Sequence, residues 1–594
     1  MSDINAILQA PEWTMQDAYG DIGSARYEQS FAEIDALIQK TASYAQITRE
    51  NILEALTGYD RAVMLSSSLA SFVKCLGAKN SNDDRCGVEN ARLAGINAHL
   101  AQVAQPIFDF AAGLAAEDAL WNEAPLSDWQ FELNERAGHW SEKLNEQDRS
   151  WFVEFEKNCF LPLGEIFKNL QKGVDFTAKN SDGEDVRIRA AKMVAVIKGA
   201  PDPVLRQSVA EGVNKSYGER GELYAALLNQ LHGFRLAAFD RVGVTPLEVS
   251  LHQNRMSREA LMAMRETILS HIEEIREAVS LRAPYFNEEK LSICNLMCPA
   301  PKADGKTPEL IPYKDGIGIV KTALSSASPE ISNFIDMMLK NQWLDAVVSD
   351  DKIGGAFYSR FNEFKMPRVF TSYMGTITTV LQQAHELGHA FHYWQMRDLP
   401  TVRTEFPMTL TEMASTFNEA YVRRYLLDHA SDAERFDILW QELRYAANFL
   451  MNTMVRMDFE LAYFEERKAG PVTAKRCVEL MRQAWHQWYG ESTEGADDYL
   501  WAYKLHYYKV DQLIYNYPYT VGYLLSQGLM YECKARGDQF MPFYRAALRD
   551  TGSMSLDQLV QTHFGADAKS REFWERCIAA PLESIREFKK SYAK

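Results

Sequence analysis

A mainly α-helical chain with a small β component is the fold class this sequence predicts, and three observations predict it. Apolar residues recur at spacings of three and four along most of the chain, as in Phe31, Ile34, Ile38 and Ala42. Strict alternation of apolar and polar residues is confined to short stretches near residues 174–190 and 368–373. Sequence rich in Pro, Gly and Lys, the signature of irregular loop, is concentrated in residues 296–316.

Taken in order, residues 1–115 read as helical, with Ser30 a candidate N-cap for the Phe31 helix. Residues 116–200 carry more helix and a β-hairpin. Val174, Phe176 and Ala178 alternate, Asn180 to Gly183 supply turn chemistry, and Val186, Ile188 and Ala190 alternate again. Asp202 starts a helical tract running to about Phe286. An extended piece, Arg368 to Tyr373, follows Pro367. Gly375 separates it from a long helix, Thr376 to about Arg397, which ends before Pro400. From there to Lys594 the pattern is helical. The reading divides the chain into 1–115, helical; 116–200, helical with the hairpin; and 201–594, which carries the chemistry.

At 594 residues the chain exceeds what one hydrophobic core usually supports. With 64 basic against 81 acidic residues it carries a net charge of −17, which disfavours phosphate backbones and anionic lipid surfaces. The first fifteen residues lack a basic patch followed by an apolar stretch, and no segment approaches the roughly 18 to 20 apolar residues of a membrane span. Eight scattered cysteines are too sparse for a disulfide framework. Cys294 and Cys298, the one close pair, have no second pair nearby to complete a zinc knuckle. A cytoplasmic protein with no nucleic-acid or membrane partner is expected.

The chemistry sits on the Thr376 helix, in His385-Glu386-Leu387-Gly388-His389. Histidines at i and i+4 lie about 40° apart around a helix and one turn apart along it, so both imidazoles can reach one ion. Glu386 is about 100° from His385, poorly placed to coordinate but able to touch water bound there. Ile377, Val380, Leu381, Ala384, Gly388 and Phe391 form a separate apolar or small stripe for the core. A Gly inside a helix costs about 1 kcal/mol relative to Ala, and close approach of another backbone is the usual reason. Composition alone would produce such a match in roughly one chain of this kind in fifty.

Zinc needs a third protein ligand and an open position. His392 shares the face but lies about 10 Å along the axis from His385, too far for one ion, and reads as a supporting or wall residue. Glu412, in Thr411-Glu412-Met413-Ala414-Ser415-Thr416-Phe417-Asn418-Glu419, is the better candidate, although Thr409 and Glu412 also fit a capping box. Glu419, two turns on, could accept the N–H of a ligand imidazole. Farther along, eight of the 27 tyrosines fall between Tyr499 and Tyr523, with His506 among them. An aromatic core accounts for many of these. Phenol and imidazole donors are also what an amide hydrolase needs to steady an oxyanion. Tyr515, Tyr517 and Tyr519 alternate around Asn516 and Pro518, which suits a loop entering a helix.

His385-Glu-Leu-Gly-His-Ala-Phe-His392, followed by Glu412-Met-Ala-Ser-Thr-Phe-Asn-Glu419, resembles the oligoendopeptidase F group of the thimet-oligopeptidase-like zinc metallopeptidases. The resemblance implies Glu412 as third ligand to one zinc ion per chain. It implies His506 and one or two of Tyr515, Tyr517 and Tyr519 as transition-state donors, since Ile514-Tyr-Asn-Tyr-Pro-Tyr-Thr-Val-Gly522 looks like the family's tyrosine-rich stretch. Gln342-Trp343-Leu-Asp345, Gly354-Gly-Ala-Phe-Tyr358 and Phe564-Gly-Ala-Asp567 look like further family segments. The implied fold is an elongated multi-helical body with a deep channel and a small sheet whose edge strand precedes the zinc helix. The implied activity is cleavage of internal bonds in short peptides, Glu386 acting as general base. Strand addition along Arg368–Tyr373 would make Phe370, Ser372 and Tyr373 substrate-binding. A carboxypeptidase-type enzyme on the same site, or an inactive zinc-holding scaffold, are the alternatives.

Overall fold

The structure is a computed structural model that describes residues 2–301 and 310–593; part of the loop expected at 296–316 lies outside them. Helix accounts for 72% and strand for 4%, as the periodicity predicts. The strands are β1 (Asp175–Lys179), β2 (Asp185–Arg189), β3 (Leu291–Ser292), β4 (Leu344–Asp345), β5 (Phe357–Phe361), β6 (Met366–Phe370) and β7 (Thr493–Glu494). None of the described helices is long and apolar enough to cross a membrane.

The Phe31 helix starts nearly two turns earlier than expected. The helix spans Ala25–Ala42, and its cap is Ser24, whose hydroxyl accepts from the Tyr27 N–H at 3.2 Å. Ser30 is interior, its hydroxyl donating back to the Arg26 carbonyl at 3.2 Å. The buried face begins at Tyr27, an aromatic one turn ahead of Phe31, so the helix starts earlier. The hairpin forms with Phe176 opposite Ile188 and Ala178 opposite Val186. Asn180 shapes its turn by accepting from the Asp182 and Glu184 N–H groups. Asp202 caps the helix Pro203–Glu219, accepting from Val204 and Leu205.

The chain forms two compact units, each assembled from segments far apart in sequence. One comprises Met1–Ala137, Thr307–Leu426 and Leu529–Gly565; the other comprises Gly138–Lys306, Leu427–Gly528 and Ala566–Lys594. Periodicity reports where helices lie and not which distant segments share a core, which is why that division was not legible.

In the first unit, β4, β6 and β5 form a sheet in that order, β4 parallel and β5 antiparallel to β6. The helix Ile52–Lys79 packs against the sheet's β5 side, where Ser67 accepts from the Asn362 amide at 3.0 Å and Ser68 from the Glu363 N–H at 2.8 Å. The chain then leaves β6 through Gly375, at φ +68°, into the helix Ile377–Met396, capped by Thr376, which accepts from the Thr379 N–H at 3.2 Å. A rigid strand thus delivers the helix that carries the histidines. The second unit contains the hairpin, the β3–β7 pair and the helices Pro203–Glu219, Gly221–Val242, Thr453–Ala469 and Ala474–Tyr489.

Candidate metal centre and active site

The helix Ile377–Met396 buries Val380, Leu381, Ala384, Leu387 and Phe391 completely or nearly so, which fixes its rotation. His385, Glu386 and His389 then fall to one side of that stripe. Both His Nε2 atoms face one oxygen of Glu412: His385 Nε2 is 3.3 Å and His389 Nε2 3.5 Å from Glu412 Oε2. The three potential ligand atoms all lie within 4.8 Å of one another. Ligands about 2.0–2.1 Å from a tetrahedral zinc are about 3.3 Å apart, so two of the three separations already have the value that ion requires.

Glu412 belongs to the helix Met408–His429, whose first turn is closed by the Thr411 N–H donating to the Pro407 carbonyl. Its carboxylate is turned to the imidazoles and accepts from the Ser415 hydroxyl at 2.8 Å. Two helices can come together here because Gly388 has no side chain. An ideal Cβ at that position would stand 2.5 Å from both the Ala414 carbonyl oxygen and the Ser415 Cα. Glu419, one face down, lies 3.2 Å from His385 Nδ1 and is itself held by Arg423 at 2.9 Å, an almost fully buried guanidinium. His385 therefore has a carboxylate at each ring nitrogen, which leaves Nε2 facing Glu412.

His389 is oriented differently. The Tyr358 ring, on β5, stacks on it at 5.2 Å and 19°. His392 takes no part in this group. It is fully buried, stacked on Phe406 at 4.3 Å, with Nε2 2.9 Å from the Thr551 hydroxyl and 3.2 Å from the Leu548 carbonyl. Burial pushes its pKa down to about 3, so it is a neutral core imidazole that ties down the helix beyond the motif rather than a wall of the site.

The electrostatics separate the roles. Burial pushes Glu386 up to about 7, with Glu412 and Glu419 adding to this and His385 and Lys74 opposing. Burial alone would lower His385, but the carboxylates of Glu412 and Glu419 outweigh it and hold it well above its ordinary value. Burial would likewise raise Glu412, and His389 and His385 instead hold it far below the usual carboxylate range. His389, dominated by burial, is pushed down to about 4. A strongly ionised carboxylate, an imidazole kept neutral by burial (His389) and one whose proton a cation would displace (His385) form a donor set suited to a divalent cation.

In the second unit, His506, Tyr515 and Tyr519 form a ring cluster. Centroids are 5.1 Å apart for His506–Tyr515, 6.0 Å for His506–Tyr519 and 5.5 Å for Tyr515–Tyr519. Burial, together with Lys504, Arg456 and Lys509, pushes His506 down to about 2. Tyr517 is a correction. The helix begins at Tyr517, so the alternation of 515, 517 and 519 is replaced by helical geometry that turns Tyr517 inward. It is fully buried, and its hydroxyl donates to the Ser250 carbonyl at 3.2 Å, which makes it a core residue.

The strand-addition expectation is also corrected. β6 is the middle strand, paired on both sides, so it offers no free edge; β4 and β5 are the outer strands. Phe370 is fully buried and stacked on Phe357 at 4.9 Å, and Tyr373 is buried with its ring 5.1 Å from Tyr313. Ser372 is half-buried. The Tyr373 N–H donates to the Ala346 carbonyl at 3.0 Å, continuing the β4 pairing beyond β6. β4 is two residues long and carries no alternation, so its pairing was not legible.

Sequence reasoning gave no role to Tyr358, Ser415, Arg423 or Lys74. Ser415 and Arg423 could have been found, since each lies one turn beyond a named carboxylate on the same helix. Tyr358 and Lys74 come from other elements, and no spacing announces them. A cavity of about 380 Å³ in this unit is lined by Lys74, Tyr358, Arg360, Glu405 and Thr411.

The profile of peptidase family M3 matches residues 328–579, the stretch that contains every residue of the metal group and the ring cluster. Over 570 residues the chain is 20% identical to oligopeptidase PepF of Bacillus subtilis, covering 92% of this chain and 82% of that one. It is 23% identical over 369 residues to the chromosomal oligoendopeptidase F of Lactococcus lactis subsp. cremoris, covering 60% and 59%. The fold is shared with crystal structures. Oligoendopeptidase-F from Enterococcus faecium superposes with a TM-score of 0.68 at 16% identity, covering 95% of this chain and 98% of that one. A structure from Chlamydophila abortus described as a candidate peptidase superposes at 0.83, with 18% identity and 98% of both chains covered. Residues 328–579 match peptidase family M3, and over most of its length the chain is similar to oligoendopeptidase F proteins, which marks it as a metallopeptidase.

Proposed function

We propose that the protein is a zinc-dependent oligoendopeptidase that hydrolyses internal bonds of short peptides. The observation that carries this reading is the convergence of His385, His389 and Glu412, with Glu386 buried on the same helix. Two imidazoles and one carboxylate are a donor set suited to zinc with a position left open, and the two imidazole–carboxylate separations, 3.3 and 3.5 Å, are close to those of a tetrahedral site. Zinc bound there would supply Lewis-acid chemistry, acidifying water and polarising a carbonyl.

The chain's own residues do the rest. Glu386, buried on the flank of the metal group, takes the proton of the attacking water and returns it to the leaving amine. Glu419 keeps His385 oriented through Nδ1, and Tyr358 holds the plane of His389. His506 with Tyr515 or Tyr519 takes the oxyanion-donor role, supported by the resemblance of their segment to the family's tyrosine-rich stretch and by their ring cluster. All eight cysteines are free, which favours a reducing, cytoplasmic compartment.

An internally quenched peptide with both ends blocked, in a series of graded length, tests the reading. Cleavage of the short members that fades as length grows is expected. A carboxypeptidase would spare every blocked peptide and cut the free-ended ones.

A further inference from the structure

One cavity in the second unit is lined by an unbalanced set of charges. It has a volume of about 120 Å³ and is partly open to solvent. Lys198, Arg456 and Lys504 line it, and among the described residues Asp497 is the one carboxylate that does. None of the three cations is in an ion pair among the described residues. The hydroxyl of Tyr503, also in the lining, donates to Asp497. Arg456 spends one Nη on Asn452 and the other on Asn516 at 3.4 Å, while its Nε is buried without a partner among the described residues.

The local structure explains why the charges meet. Lys198 is in the last turn of the helix Ala190–Gly199. Lys504 directly follows the short helix Leu500–Tyr503. Arg456 lies four residues past Asn452, the end of a π-helical turn, Ala447–Asn452, which sets Asn448 and Asn452 into the lining. Such turns recur at functional sites because they re-aim side chains that a regular helix would direct elsewhere. Crowded cations are costly to one another. Burial, Arg456 and Lys198 together push Lys504 down to about 6. The remaining wall is apolar, with Val194, Leu296, Trp485 and Leu500 facing the charges.

From the unpaired cations and the facing apolar wall, we propose that this cavity binds an organic carboxylate bearing an apolar substituent. The identity of the natural ligand rests on the peptidase reading, which supplies such a group in the C-terminal residue of a short peptide. The existence of the site does not rest on it. A carboxylate placed there would satisfy Arg456 Nε, relieve the repulsion among the cations and lay its substituent on Trp485. A bare inorganic anion would leave the apolar wall unused.

Thermal unfolding of the full-length protein with N-acetyl-leucine, its amide, acetate and inorganic phosphate, at matched ionic strength, tests this. A saturable rise in Tm with N-acetyl-leucine, absent with the amide and weaker with acetate and phosphate, is expected. Lys198→Met, at the exposed end of its helix, should weaken that response about tenfold, the worth of one charged hydrogen bond, and Lys198→Arg should restore it. Equal responses to acid and amide, equal responses of wild type and Lys198→Met, or phosphate matching N-acetyl-leucine would each overturn the proposal. If the ligand is a peptide terminus, KM for a free-acid peptide should be about tenfold below that for its amide in the wild type, and this ratio should vanish in Lys198→Met. An inactive protein would remove the kinetic arm and leave the unfolding arm intact, so failure of the peptidase reading and failure of this site give different results.

Discussion

Gly388 and Ala414 touch backbone to backbone: an ideal Cβ on Gly388 would stand 2.5 Å from the Ala414 carbonyl oxygen, two residues from Glu412. The absent methyl sets the distance between the helix bearing both histidines and the helix bearing the carboxylate. Gly388→Ala gains about 1 kcal/mol of helix propensity and loses about 1–3 kcal/mol to overpacking. The variant should fold, be slightly destabilised, and bind zinc at least tenfold more weakly in chelator competition, because the carboxylate helix is pushed away. Unchanged affinity would mean that the close approach does not set the ligand geometry.

Glu419 reaches His385 Nδ1 at 3.2 Å and takes Arg423 on its other oxygen. Glu419→Gln keeps an acceptor for Arg423 but removes the charge behind the imidazole. Zinc affinity should fall about 10- to 100-fold, with kcat per bound zinc much less affected. Isothermal titration with zinc, paired with activity normalised to metal content, separates the two effects.

Among the tyrosines, kinetics and stability should part company. Tyr517→Phe removes a buried hydroxyl that donates to Ser250, so it should cost about 1 kcal/mol of stability and leave kcat within a factor of two. Tyr515→Phe or Tyr519→Phe should lower kcat about 10²- to 10³-fold for whichever donates to the oxyanion. Denaturant melts run beside kcat for the three variants decide it. A catalytic defect in Tyr517→Phe alone would invert the assignment.

Glu460 is a buried carboxyl that accepts from the Ile514 N–H at 3.0 Å, and burial pushes its pKa up to about 7 from an ordinary 4.5. A folded-state pKa above the unfolded one gives stability that is whole below about 4.5 and is lost as pH rises through about 7. Glu460→Gln keeps an acceptor for Ile514 and has no proton to lose. The stability of the variant relative to wild type should therefore climb by on the order of 3 kcal/mol between pH 4.5 and pH 8. A flat difference across that range would show that Glu460 ionises in the folded protein as readily as in the unfolded chain.

Much of this was legible because it is local. The rotation of the motif helix follows from Val380, Leu381, Ala384 and Phe391, and the requirement for a close neighbour at Gly388 follows from a residue that weakens its own helix. The hairpin and the Asp202 cap are likewise written in adjacent residues. What could not be read depends on partners outside the segment itself. Leu344 and Asp345 turn β6 into a central strand, Ser250 withdraws Tyr517 into the core, and Thr551 and Phe406 claim His392. No period in one segment records what packs on it from another.

Glu386→Gln and His385→Ala, each measured for zinc content and for cleavage of one blocked quenched peptide, test the central claim most directly. Glu386→Gln should hold one zinc per chain and lose cleavage by three orders of magnitude or more, whereas His385→Ala should lose both. Full cleavage by Glu386→Gln, or by wild type stripped of metal, would contradict it.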